Sequence, residues 1–306
     1  MDIKNVFQAK DVPEAINLLD QYGEAAKVIA GGTDIIIALR ENHVKVSVLV
    51  DISSIKELKE IKTSDDWVEM GAAVTFTEVM DYFKGHKEYS GLIEAASLVG
   101  SPQIRNAATI GGNICNASPA ADFVPPLLAL DAVLTVEGKE GKREVRLEDF
   151  LLDKGRVDLN KGELLTTIKF IRLRKGQTVT FSKLGLRKAL AISRLSTAVY
   201  LEIDDDEKCA EVRVASGSIG KHGLRERVAE ESLKGKNLDK AAIDEASKVL
   251  SNEVEKRLAG RSSCEFKKDA VEGIFLKAVE KAMVHNGDGS YCAMGTQYYP
   301  RAAGKE

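Results

Sequence analysis

Apolar positions along this chain recur with two different periods, and the changes of period divide it. Val12 to Tyr22 carries Ala15, Ile16, Leu18, Leu19 and Tyr22 at helical spacing, with Asp11 placed as N-cap and Pro13 in the first turn. Lys27 to Ala30 is a short β-rich run that Gly31-Gly32 breaks, and Thr33-Asp34 then opens a helical run from Ile35 to Leu39. Ser47 to Ile52 predicts a buried strand, and Leu58–Ile61 with Trp67–Ala72 predicts a strand pair. Thr75-Phe76-Thr77-Glu78 is a capping-type start for a helix through Phe83, and a second helix is predicted over Tyr89–Val99. Strands are expected at Ala132–Glu137 and Leu164–Ile171. Beyond Lys175-Gly176 the pattern predicts antiparallel strands at Phe181–Lys183, Ser196–Ile203 and Ala210–Ser218. Two long helices follow, roughly Asp239–Leu258 and Phe266–His285. From Asn286 to Glu306 the chain is polar, with glycines and paired tyrosines, and reads as a loose tail or an arm on a partner.

Composition narrows the classes. The 306 residues are 44% hydrophobic and 30% charged, an ordinary soluble mix with room for one large domain or two to three smaller ones. A net charge of -3 gives no electrostatic case for nucleic acid. Met1 to Val6 shows no apolar run after a basic start, so no signal peptide is expected, and Ile35–Leu39 and Phe123–Leu130 are too short to span a bilayer. Cys115, Cys209, Cys264 and Cys292 are scattered, which fits neither zinc nor an iron–sulfur cluster and suggests a reducing compartment, the cytoplasm by default. His43, His86, His222 and His285 show no ligand pairing, so no metal site is expected. Gly217-Ser218-Ile219-Gly220 misses the spacing of a nucleophile elbow, no catalytic triad emerges, and Asp204 to Glu207 reads as a solvated hairpin turn.

Candidate chemistry lies in two glycine turns. Val28-Ile29-Ala30-Gly31-Gly32-Thr33-Asp34-Ile35 reads as strand, turn and helix, where backbone N–H groups can gather an anion; alone, a plain tight turn explains it better. Thr109-Ile110-Gly111-Gly112-Asn113, followed by Ser118 and Asp122, lies in a stretch from Gly100 to Pro126 rich in Gly, Ala, Ser, Asn and Pro. Thr, Asn and Ser can serve phosphate or ribose oxygens, and Asp122 can accept from a hydroxyl. A surface loop is the simple alternative, yet Thr109–Ala121 is uncharged, which suits a buried ligand better. Two anion-capable turns meet the needs of a dinucleotide, while the Gly-x-Gly-x-x-Gly and Walker patterns are both missing.

Ala30-Gly31-Gly32-Thr33-Asp34, Thr109-Ile110-Gly111-Gly112-Asn113 and Ala117-Ser118-Pro119-x-x-Asp122 together resemble the flavin-binding signatures of the xanthine dehydrogenase family. Lys183 to Ala189 with Ile192-Ser193, and Arg261-Ser262-Ser263, continue the resemblance over about residues 1 to 285. It implies an α+β fold: a two-subdomain FAD-binding domain of the vanillyl-alcohol-oxidase (PCMH) type at 1–175, split near 57, then a C-terminal α+β domain at 176–285. It implies one noncovalent FAD, its pyrophosphate between the turns, contacted by Val28, Ile29, Ala30, Gly31, Gly32, Thr33, Asp34 and Ile35 and by Thr109, Ile110, Gly111, Gly112 and Asn113. Ser118 and Asp122 would serve the ribityl or nearby hydroxyls, and Leu165 and Lys183 correspond to positions near the flavin ring. Val99 stands where some members place an aromatic on adenine, a stacking role valine cannot fill.

The function so implied is electron transfer within a molybdenum hydroxylase. A large partner subunit would hold a molybdenum–pterin centre, a small one two two-iron clusters, and this chain's FAD would pass electrons to NAD(P) or another acceptor. No catalytic side chain is required for that. A stand-alone flavin oxidase or dehydrogenase and a flavin-free assembly subunit are the alternatives. Lys183 reads either as a charge beside reduced flavin or as a surface lysine, and Arg187 either as a partner of a carboxylate or flavin or as a structural ion pair. Cys115 reads as a small buried side chain.

Overall fold

The structure, a computed structural model, describes residues 3–187, 190–204, 206 and 208–286. The expected tail, apart from Asn286, and Lys188-Ala189 of the family-like segment lie outside them.

The first layer is small. Strands β1 (Asn5–Gln8), β2 (Ala26–Ile29) and β3 (Val48–Asp51) form a parallel sheet in the order β1-β3-β2. Helix α1 (Val12–Tyr22) starts at Asp11, whose carboxylate accepts from Glu14 N–H, and buries Val12, Ala15, Ile16 and Leu19 against the sheet. The crossover from β2 to β3 runs through α2 (Ile35–Arg40), as parallel strands require.

The second layer is an antiparallel sheet with helices. Strands β4 (Ile61–Thr63) and β5 (Trp67–Gly71) lead to α3 (Phe76–Tyr82), which carries the expected capping box between Thr75 and Glu78. Residues 56–59 are a short 3-10 turn, so the first strand of the pair begins at Ile61 and not at Leu58. Then come α4 (Ser90–Ser97), α5 (Pro102–Arg105), α6 (Ile110–Asn116) and α7 (Val124–Ala129). The Gly-, Ala-, Ser-, Asn- and Pro-rich stretch, to which the pattern assigned no element, thus holds short helices. Ser101 and Thr109 cap two of them, and prolines stand in the first turns of α5 and α7. Strands β6 (Val133–Gly138) and β7 (Gly141–Arg146), helix α8 (Leu147–Phe150), the small pair β8 (Leu151–Asp153) and β9 (Arg156–Val157), and β10 (Leu164–Ile171) complete the layer; the sheet order is β4-β5-β10-β6-β7.

The third layer is the sheet β11 (Gln177–Gly185), β12 (Ser193–Ile203), β13 (Cys209–Gly217) and β14 (Leu224–Arg225), antiparallel throughout. Helices α9 (Arg227–Leu233), α10 (Lys240–Leu258) and α11 (Cys264–Asn286) follow. Both sheet faces are buried, and alternation along each strand sorts the side chains. Val179, Phe181, Ala198, Tyr200 and Ala215 join the second layer's core, while Leu195, Val199, Leu201, Val212 and Val214 join the core under the three helices. Arg225 pins the two parts with ion pairs to Asp131 at 2.5 Å and Glu230 at 2.6 Å, and Arg213 reaches Asp131 at 3.4 Å. Arg225 keeps 7% of its surface, so these charges are compensated inside the protein as burial demands.

Candidate functional site

The two glycine turns touch each other. A Cβ on Gly31 would lie 1.8 Å from the carbonyl oxygen of Ala107, so only glycine lets this backbone approach the chain leading into α6. Gly32 has φ +71°, which reverses the chain into α2. Asn116, at the end of α6, donates from Nδ2 to Asp34 Oδ1 at 3.1 Å and ties the turns a second time.

Their backbones behave differently. In the first turn, the N–H groups of Gly31, Gly32, Thr33, Asp34 and Ile35 have no acceptor among the described residues. The turn is half-exposed, so five consecutive donors remain available to an anion. In the second turn the N–H groups of Ile110, Gly111, Gly112 and Asn113 are taken. Ile110 N–H donates to Val74 O and Gly111 N–H to Ala72 O, both at 2.9 Å. Gly112 N–H donates to Thr109 Oγ1 at 3.1 Å, and Asn113 N–H to Thr109 O at 3.0 Å. Four consecutive donors of the expected second anion turn are thus spent inside the protein. Gly111 is glycine for another reason: its Cβ would stand 2.6 Å from Ala72. What this segment offers a ligand is side chains. Asn113 Oδ1 is buried without a hydrogen-bond partner, and Ser118 Oγ accepts from Ala120 N–H at 3.3 Å.

Downstream of Ser118 the second and third layers meet. Lys183, on β11, donates from Nζ to Asp122 Oδ2 at 2.5 Å and to Leu98 O at 3.3 Å. The side chains of the pair are only 7% and 8% exposed. Burial pushes the Asp122 carboxyl up to about 6, against the opposing pull of the Lys183 ammonium. Asp122 Oδ1, Ser193 Oγ and Ser196 Oγ are buried without a well-formed hydrogen bond, although the Ser193 hydroxyl stands close enough to Asp122 to favour its charged form, and the sheet register sets Ser196 opposite Lys183 and Ser193 opposite Gly185. Buried polar atoms without well-formed hydrogen bonds are rare, and several around one ion pair mark a place built for a polar ligand. Beside it lies a cavity of about 330 Å³ lined by Leu98, Lys183, Leu184, Gly185, Leu186, Arg187, Leu190 and Ala191.

Ser218 fixes the junction. It has φ +65°, accepts at its carbonyl from Lys267 Nζ, donates from N–H to Pro119 O at 2.7 Å, and donates from Oγ to Ser193 O at 2.9 Å. Its backbone N–H positions the segment that carries Ser118 and Asp122, and its hydroxyl holds the start of β12.

The other expected residues fall in several places. Val28, Ile29 and Ala30 are half-buried on or just after β2, and Ile35 is half-buried at the start of α2. Thr109 is the N-cap of α6, and Ile110 is fully buried. Leu165 lies in β10 opposite Val136, 3% exposed in the second layer's core, on the strand against which α6 packs. Arg187 has no carboxylate partner among the described residues: its guanidinium is exposed and donates to Leu190 O at 2.7 and 3.2 Å. Val99 is half-buried, and its carbonyl accepts from Arg105 Nη1 at 3.2 Å. Cys115 is half-buried, and desolvation pushes its thiol up to about 12. Ser193, Ser196, Ser218 and Asn116 were not among the expected site residues. Small hydroxyls interrupting the apolar strand β12 were the one available signal for the first two.

Among the described residues no three His, Cys, Asp or Glu side chains come together as metal ligands. No described helix is long and apolar enough to cross a membrane.

Comparison with known proteins bears on what this arrangement holds. Residues 2–170 match a family described as the FAD binding domain in molybdopterin dehydrogenase, and residues 180–282 match the CO dehydrogenase flavoprotein C-terminal domain. The nicotinate dehydrogenase FAD-subunit of Eubacterium barkeri is 35% identical over 275 residues, 89% of this chain and 93% of that one. The xanthine dehydrogenase FAD-binding subunit of Escherichia coli O157:H7 is 31% identical over 94% of this chain and 98% of its own length. Among solved structures, a carbon monoxide dehydrogenase chain from Hydrogenophaga pseudoflava superposes with TM-score 0.84 at 26% identity, covering 92% of this chain and 98% of that one. The three layers are thus the two-domain α+β fold expected from the sequence.

Proposed function

Because this chain belongs to the family of FAD-binding subunits of the molybdopterin dehydrogenases, we propose that it is the electron-relay subunit of a molybdenum hydroxylase, taking electrons from a partner's two-iron clusters and passing them to NAD(P) or another acceptor. A large subunit with the molybdenum–pterin centre and a small subunit with the clusters complete the assembly. Its place is the cytoplasm. The observation that carries this reading is the pairing of an open five-donor turn with a buried ion pair ringed by oxygens without well-formed hydrogen bonds.

The residues present fit FAD. N–H groups of Gly31 to Ile35 would hold pyrophosphate oxygens. Asn113, Ser118 and the free oxygen of Asp122 would serve the hydroxyls of the ribityl and ribose parts, and Ser193 and Ser196 stand ready beside them. Lys183 holds a positive charge at the site, and Asp122 with the Leu98 carbonyl fixes its position. Burial disfavours the thiolate of Cys115, which makes it a poor nucleophile and accords with noncovalent attachment. FAD supplies the step between two-electron and one-electron chemistry, and the protein supplies its binding, orientation and electrostatics.

The test is anaerobic flavin bleaching. In complex with its molybdenum and iron–sulfur partners, the chain's flavin should be reduced by a heterocycle or aldehyde. Alone, it should accept electrons from dithionite, pass them to a dye and hydroxylate nothing. Acid precipitation should leave the yellow colour in the supernatant. Bleaching of the isolated chain by an organic substrate would instead make it a stand-alone oxidase, and a colourless purified chain would remove FAD altogether.

A further inference from the structure

The structural arginines of this chain are held in ion pairs. Arg143 holds Asp158 and Glu163, Arg225 holds Asp131 and Glu230, and Arg257 holds Glu226. Arg187, Arg194, Arg261 and Lys267 differ: none has a carboxylate partner among the described residues. Arg187 is satisfied by the Leu190 carbonyl and Lys267 by the Ser218 carbonyl, while Arg194 lies over the Phe266 ring at 5.7 Å. The Lys267 pKa is lowered by burial and further by Arg194 and Arg261, which sets these three cations near one another. On the same helix, Glu265 is engaged by Lys268 at 2.9 Å.

The same region exposes apolar side chains. Leu186 and Ile192 are each 82% exposed, Leu190 52% and Phe266 47%. The connection is continuous. Gly185 pairs with Ser193, Arg194 follows, and its guanidinium covers Phe266 at the start of α11, one residue before Lys267. Leu186, Arg187 and Leu190 also line the cavity beside Lys183. An apolar centre with an unpaired cationic rim therefore opens directly onto the proposed flavin site.

We propose that this face docks an acidic one-electron carrier protein, which takes up the electrons that leave the flavin site. The inference rests on the reading above that the chain holds FAD. Aliphatic side chains this exposed and grouped suit contact with a protein surface better than a nucleotide, which is bound by enclosure in a cleft. Cores of permanent interfaces are depleted in charge, whereas weak redox encounters are small and guided by charge of one sign. Two oxidised carriers each gain one electron; the pair comes from reduced FAD, whose protons pass to water, and the partner's clusters restore it.

The experiment uses the assembled complex with an acidic ferredoxin and a basic cytochrome c as probes, measuring both binding and anaerobic electron transfer. Ferredoxin binding should weaken by about tenfold or more from low to high salt, as for electrostatically steered pairs, and cytochrome c should show no such attraction. Arg194→Gln with Arg261→Gln should lower ferredoxin affinity by about fivefold to tenfold and flatten its salt dependence, while reduction of a neutral dye stays unchanged. Ferredoxin binding that ignores both salt and the two substitutions overturns the proposal. So does protection of these arginines from phenylglyoxal in the complex without carrier, which would assign the face to a hydroxylase subunit. Loss of dye reduction in the unsubstituted complex would strike the flavin reading instead.

Discussion

The two glycine pairs look alike in the sequence and do opposite work in the fold. Around Gly31-Gly32 five N–H groups are left open, and Gly31 is where one backbone rests on another. Around Gly111-Gly112 the N–H groups from Ile110 to Asn113 are spent inside the protein, on Val74, Ala72 and Thr109. One turn is a receptor; the other is the buttress that holds it in shape. A glycine motif therefore reports a close approach but not what approaches, which can be a ligand or simply another strand of the same chain.

Breaking the contact between the turns should give the largest effect. Gly31→Ala sets a methyl group 1.8 Å from the Ala107 oxygen, and neither backbone can yield. Flavin content should fall to near zero, with a stability loss of about 1–3 kcal/mol or more from overpacking. The visible-to-ultraviolet absorbance ratio and a thermal melt measure the two. Full flavin occupancy in this variant would dissolve the distinction between receptor and buttress.

Lys183→Ala should come next. It strands Asp122 in a buried position and should cost about 3–5 kcal/mol in urea unfolding at neutral pH, unless Asp122 takes up a proton. Adding Asp122→Asn to the same chain should recover most of the loss. If Lys183→Ala alone is harmless, the pair is not the anchor described.

The same carboxyl gives a pH signature in the flavin-free chain. The folded value of about 6 stands above the ordinary 3.8, so between them the folded chain holds a proton that the unfolded chain has lost. This contribution is complete below pH 4, declines as the pH rises to 6, and is constant beyond. The drop is at most roughly 3 kcal/mol. Asp122→Asn should remove that slope from a series of urea midpoints, and an unchanged slope would place the titration elsewhere.

The smallest effect separates the turns most finely. Thr109→Val removes the oxygen that receives Gly112 N–H. A lost cap costs about 1 kcal/mol. If the second turn is only a buttress, the melt falls by that amount and flavin content does not change. Flavin loss would mean that the Thr109 hydroxyl serves the ligand.

The helices with clear periodicity and caps were readable in advance. Asp11 and Thr75 cap as expected, and α10 and α11 follow their apolar spacing. The strand pair shifted at Leu58 because a 3-10 turn buries that leucine without any ladder. The stretch from Gly100 to Pro126 showed no element because its helices have four to seven residues, too few to show a period, and glycines are poor helix formers. Of the site, Asp122 came from its uncharged, glycine-rich setting and Lys183 from family likeness, but their bond spans 61 residues and no local pattern encodes it. Ser193, Ser196 and Ser218 gain their meaning only from strand register and from a left-handed backbone at Ser218, neither of which can be read from short polar residues in a strand.

That long-range bond has a consequence in the order of synthesis. Both turns and Asp122 leave the ribosome well before Lys183, and domains tend to fold in the order they emerge. A nascent chain that has reached only β10 already possesses the open turn and its buttress, while Asp122 still faces water at the unfinished edge. The arrival of β11 delivers Lys183, and β12 then brings the serines, so this wall of the pocket is the last to be built. Cofactor capture and the docking of the C-terminal sheet thus compete for the same interval in the life of the new chain.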